Sequence, residues 1–235
     1  MIVNDVVEAV RAEFLDRKIY FTPDDVPANV AVPTGWQNFG VYSGGAPGFP
    51  AAWQSFSEEL PWVLSLLNIG LIGTAILDGD SLELLYVFHD ANGLYYYVGG
   101  LPLNECKGQT GSTLPFKGKL SDFYHKVHNG FTFYPAQSMG PQKIEHLTCV
   151  ADLIDEEDTV FASRWMTVLS NGGGDYLAVD LVSSQGKGVI WWHEQPLEPE
   201  LDVDVFDVMD TWMSIFLEDT QPRDNIFPSG FGLGA

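Results

Sequence analysis

The chain has 235 residues, 46% of them hydrophobic and 13% aromatic, a composition that supports a packed core and excludes disorder. Its 32 acids against 11 Lys and Arg give a formal net charge of −21, although charged residues make up only 18% of the chain, so cations are scarce rather than acids abundant. Such a surface excludes nucleic acid and anionic membrane as direct partners and attracts basic ones.

Val6, Val7, Val10, Phe14 and Leu15 fall on one side of a helix expected from Asn4 to Tyr20, with Asn4 as N-cap. Thr22 to Pro50 is rich in Pro and Gly and reads as a loop. Its Trp36, Phe39 and Phe49 predict that it packs against the body. A short helix is expected over Phe56–Asn68, with Pro61 in its first turn. Strands follow at Leu71–Leu77, Leu82–His89 and Leu94–Val98, divided by the turn signals Asp78-Gly79-Asp80 and Asp90-Ala91-Asn92-Gly93.

Ser121–Asn129 reads as a helix with Ser121 as N-cap and Gly130 beyond its end. Phe161–Ser170, Tyr176–Ser183 and Val189–His193 read as strands joined by glycine turns. The last helix is expected over Asp204–Glu218. Its apolar stripe is Val205, Val208, Met209, Trp212, Ile215 and Phe216, with Asp207, Asp210, Ser214 and Glu218 away from it. This order predicts an α+β fold, a mostly antiparallel twisted meander with helices packed on it. An N-terminal lobe over 1–110 (or part of the same domain), a core over 111–219 and an irregular tail over 220–235 are expected.

Motifs for chemistry are scarce. GxSxG, P-loop, GxGxxG and HExxH patterns are all missing. His125 and His128 stand at i, i+3, but no carboxylate or cysteine supports them as zinc ligands. The plainer reading has one facing solvent and the other at the helix end. His89-Asp90 and His193-Glu194 are neighbours on strands, which point to opposite faces and do not converge. Asp78-Gly-Asp80 and the run Asp155–Asp158 lack the later glycine and glutamate of a calcium loop. Cys106 and Cys149 lie far apart, which suits a reducing cytosol. Asp5 and Glu8 stand where a secretory leader needs basic residues, and no apolar run reaches membrane-spanning length. A soluble cytoplasmic protein with no cofactor, no metal and no catalytic residues is expected.

From Leu120 onward a series of segments stands in a recognisable order. LSDFYHKVHNGFTFYP is a helix ending in Asn129-Gly130 before an aromatic strand, and SMGPQKIEHL is a short connection. GDYLAVDLVS and GKGVIWWHEQP are strands, and FDVMDTWMSIFLED is a helix with aromatic anchors. Over Leu120–Asp219 this resembles the SUKH superfamily of bacterial immunity proteins. The resemblance implies a SUKH-like sheet with helices packed on it. It also implies a protein that neutralises a polymorphic or secretion-system toxin by binding it.

Toxins that act on nucleic acid tend to be basic, and the acidity would complement one. Residues 120–235 hold 19 acids against 5 bases, and residues 1–119 hold 13 against 6, so the excess lies in the half that carries the resemblance. Two clusters are candidates for toxin contact: Asp152, Asp155, Glu156, Glu157 and Asp158, and Glu194, Glu198, Glu200, Asp202 and Asp204, with exposed aromatics as anchors. The plainer reading makes both solvated loops beside helix starts. Two other functions stay open: a regulatory or scaffold interaction module, and an enzyme with an unrecognised active site.

Overall fold

The computed structural model describes residues 1–45, 48–106, 114–154, 160–182 and 187–227. Two antiparallel sheets of five strands carry the chain, each a meander in sequence order, so the fold is α+β. The first sheet holds β1 (Lys18–Tyr20), β2 (Gly73–Asp78), β3 (Leu82–Asp90), β4 (Gly93–Gly100) and β5 (Phe131–Tyr134). The second holds β6 (Gly140–Pro141), β7 (Trp165–Ser170), β8 (Tyr176–Asp180), β9 (Lys187–Trp191) and β10 (Glu200–Asp204). The helices are α1 (Val3–Glu13), α2 (Pro61–Gly70), α3 (Lys119–Lys126), α4 (Val205–Leu217) and the single turn α5 (Arg223–Ile226).

The near-continuous hydrophobicity of β3 has a simple cause: the first sheet is covered on both faces. Leu84, Tyr86 and Phe88 point into the main core with α2, α3 and α4, while Leu85 and Val87 point the other way. That other face is sealed by Val6 and Val10 of the first helix, by Phe14 at its C-cap, and by Ile226 and Phe227 towards the far end of the chain. The main core continues through α2–α4 to Leu169, Leu177 and Val179 of the second sheet. The outer face of that sheet carries a smaller cluster, in which Trp165, Ala178, Val189 and Trp191 meet Val150, Ile154 and Ala162.

Several expectations need correction. The first helix stops at Glu13 rather than Tyr20, because Lys18–Tyr20 pairs with Asp78–Ile76 as an edge strand. Its N-cap is Ile2, whose backbone N–H donates to the Asp5 carboxylate at 2.8 Å. The third helix begins two residues before Ser121, with Gly118 as N-cap. Gly130 is left-handed as expected (φ 78°), but it sits in the turn into β5, where a side chain would strike Lys143.

The last helix buries Val205, Met209, Asp210, Met213 and Leu217, and leaves Ile215 about half exposed. Its buried stripe is thus rotated from the expected one, because α2 packs alongside and claims Asp210. The Asp210 carboxylate accepts the backbone N–H groups of Trp62 (3.1 Å) and Val63 (2.9 Å), capping a helix that has no side-chain cap of its own. The tail is not wholly irregular. Arg223 is buried and donates to the backbone carbonyls of Ile72 (3.2 Å), Gly45 and Tyr42, which fastens α5 to the first sheet. Trp191 packs in the cluster on the outer face of the second sheet.

Candidate protein-interaction surface

The second acidic cluster is built by β9, the loop after it and β10. Trp191 is buried, and its indole N–H donates to the Pro196 carbonyl at 3.2 Å. Backbone bonds from Gln195 to Trp192 and from Glu198 to Gln195 make two successive turns. The loop is therefore held against the sheet, and Glu194 and Glu198 stand exposed on it.

Sequence reading treated Glu200–Asp204 as a loop before a helix, but it is an edge strand paired with β9. One extra residue bulges between Glu200 and Val203, and Asp202 adopts a left-handed φ of 60°. Glu200, Asp202 and Asp204 are all exposed. One oxygen of Asp204 is engaged in the fold, accepting the N–H groups of Phe206 and Asp207 as the N-cap of the last helix. In the first cluster Asp152 is exposed on a 3-10 turn, Val150–Leu153, that packs against β7. Asp155, Glu156, Glu157 and Asp158 lie outside the described residues. Asp152, Glu194, Glu198, Glu200, Asp202 and Asp204 form no ion pair among the described residues.

Beside these acids runs an open apolar groove of about 480 Å³, lined by Val160, Phe161, Trp165, Leu197, Pro199 and Leu201. Val160 is 78% exposed, and Leu197 and Leu201 are each 57% exposed. Trp165 is buried at the base and meets Phe161 edge to face at 5.4 Å. Arg164 also borders the groove, but its guanidinium is held by Asp180 at 2.9 Å. Sequence reading missed these residues. The signal was Leu197-Glu-Pro-Glu-Leu201, two leucines separated by acids and a proline, which puts apolar groups on a segment too polar to be core.

His128 takes another role than expected, whereas His193 and Glu194 do not converge, as expected. His128 is fully buried in an aromatic cage with Trp53, Tyr86 and Phe131. Its Nδ1–H donates to the Gly100 carbonyl (3.0 Å), so Nε2 accepts from the Tyr86 hydroxyl (2.7 Å). The Tyr86 oxygen in turn accepts the Trp53 indole N–H at 2.9 Å. Burial pushes the His128 pKa down to about 3, against the opposing bond to Gly100, and burial lifts Tyr86 well above its ordinary value. This is a buried, mutually satisfied core network.

His193 turns away from Glu194 and pairs with Asp175, Nδ1 to carboxylate, at 2.7 Å. Desolvation works against the Asp175 charge, but hydrogen bonds from His193 and Asn171 outweigh it and hold the carboxyl below its usual range. The pair pins the end of β9 to the turn between β7 and β8. Among the described residues no three His, Cys, Asp or Glu side chains gather to hold a metal, and no helix is long and apolar enough to cross a membrane. No protein-family model, curated protein or solved structure matches the chain.

Proposed function

We propose that this chain is a cytoplasmic immunity protein that neutralises a cognate basic toxin by direct binding, with Glu194, Glu198, Glu200 and Asp202 at the contact. One observation carries the reading: these exposed acids form no ion pair among the described residues, and Glu198, Glu200 and Asp202 alternate along the chain with Leu197, Pro199 and Leu201, which line an apolar groove, on a chain of net charge −21. An apolar centre inside a polar rim is the usual anatomy of a protein interface. Unpaired charge at the rim steers an oppositely charged partner and fixes its register. The likeness of Leu120–Asp219 to the SUKH superfamily supports the toxin as that partner, and a basic nucleic-acid-cleaving toxin would fit the charge.

Co-expression with the product of the neighbouring gene tests this. The toxin alone should kill, and this chain should rescue. The combined replacements Glu194→Lys, Glu198→Lys, Glu200→Lys and Asp202→Lys should lower the association rate by at least about tenfold, and the wild-type rate should fall as salt rises. Survival of toxin-expressing cells without this chain, or an association rate indifferent to salt, would sink the reading.

A further inference from the structure

We infer that the groove lined by Val160, Phe161, Trp165, Leu197 and Leu201 seats one large apolar side chain of a protein partner, presented between Lys or Arg residues that meet Glu198, Glu200 and Asp202. The inference rests on the reading of the chain as a binding protein and names the chemistry of what it binds.

The groove is open, and its volume of about 480 Å³ is ample for an aromatic or aliphatic side chain. Its base is firm. Trp165 sits on β7, paired with Asp180 of β8, and is buried, so an entering group meets a fixed wall. Its lips are leucine and valine side chains left largely in water, and covering them is favourable at roughly 25 cal/mol per Å². Arg164, the one cation among the described residues lining the groove, is already matched by Asp180, so the unpaired charge beside the groove is that of the exposed acids Glu198, Glu200 and Asp202.

Two other occupants fit worse. A second copy of this chain would bring a like-charged surface against the acids, which the net charge of −21 disfavours. Strand addition to β10 meets a bulge, a left-handed Asp202 and exposed acids, the features that blunt an edge against pairing. A side-chain anchor with basic flanks satisfies both the groove and its rim.

The test uses the full chain, isotope-labelled, titrated with short synthetic peptides that carry a central Phe between Arg residues. Matched peptides replace the Phe with Ala or the Arg residues with Glu. Resonances of Val160, Phe161, Trp165, Leu197 and Leu201 should move with the Phe–Arg peptide. That peptide should bind at least about tenfold more tightly than the Ala peptide, and the Glu peptide should not bind. The exposed Leu201→Asp should abolish binding while leaving the unbound spectrum folded. Equal binding of the Phe and Ala peptides, shifts confined to another face, full binding by Leu201→Asp, or no binding by any peptide would each overturn the inference. Failure of toxin rescue alongside groove binding by the peptide would instead remove the immunity reading and leave the groove's chemistry standing.

Discussion

His128 shows how one side chain couples the fold to pH. An unfolded histidine takes up a proton near pH 6.5, whereas this one resists until about pH 3, because a charged imidazole has no water in its aromatic cage. The unfolded chain therefore binds more protons between those values. Stability from this residue is complete above about pH 6.5 and is lost as pH falls through the window, by roughly 2 kcal/mol at pH 5. Urea unfolding at pH 7 and pH 5 should show the loss, and His128→Asn should flatten that slope; an equal slope in the variant would refute the assignment. Asp210 works by a different route. Burial lifts its carboxyl above the usual range, yet bonds from Val63 and Trp62 favour the charged form and keep the residue useful as a cap. Asp210→Ala leaves two backbone N–H groups without their acceptor and should cost about 1–3 kcal/mol, read from the denaturant midpoint. A change below a few tenths would mean that water caps the second helix as well as Asp210 does.

At the scale of elements, close approach decides more than propensity. Gly99 and Gly100 end β4 where the turn after the third helix crosses it. A side chain at Gly99 would stand 2.5 Å from the His128 ring, and one at Gly100 would collide with the Asn129 carbonyl oxygen. Both glycines let this turn lie on the sheet, which is how the imidazole reaches the Gly100 carbonyl. Gly99→Ala should push the ring off its partners, destabilise by about 1–3 kcal/mol, and weaken the pH dependence with it. Retained stability with an unchanged pH slope would show that the contact relaxes freely. The edge strand β10 illustrates the opposite case. Its exposed acids and its bulge weaken it as a template for pairing but leave its side chains available to a partner.

The whole molecule is tied together by contacts far apart in sequence. The first sheet takes β1–β4 from residues before 101 and β5 from Phe131–Tyr134, and one core holds Tyr86 and Leu67 with Leu177 and Met213. Glu83 of β3 is buried between Arg17, at 2.8 Å, and Lys143, which follows β6. Cutting the chain at residue 110 would strip β5 of its pairing with β4 and expose the shared core. A fragment of residues 111–235 is therefore expected to lack cooperative thermal unfolding and to bind a hydrophobic dye. A sharp, reversible transition in that fragment would show that the second sheet folds alone.

Local sequence patterns specified the fold class and most of the strand positions, but not the division of the strands into two sheets. Alternating or continuous apolar runs between Gly, Asn and Asp turns are local signals, and each is set by the residues that carry it. The sequence by itself also determined the charge, its excess in the second half, and the packing of the loop around Trp36 and Phe39. Tertiary structure alone decided the rest. Lys18–Tyr20 became a strand because β2 offered an unpaired edge. Asp210 became a cap because the second helix lay beside it, and His128 became a core residue because Tyr86, Trp53 and Gly100 closed around it. The groove joins Phe161 to Leu201, forty positions apart, so the Leu197–Leu201 pattern could flag exposed leucines but not the wall that Phe161 and Trp165 bring to them. Pattern reports which face of an element is apolar; whether that face meets the core, another chain or water depends on what the rest of the molecule brings to it.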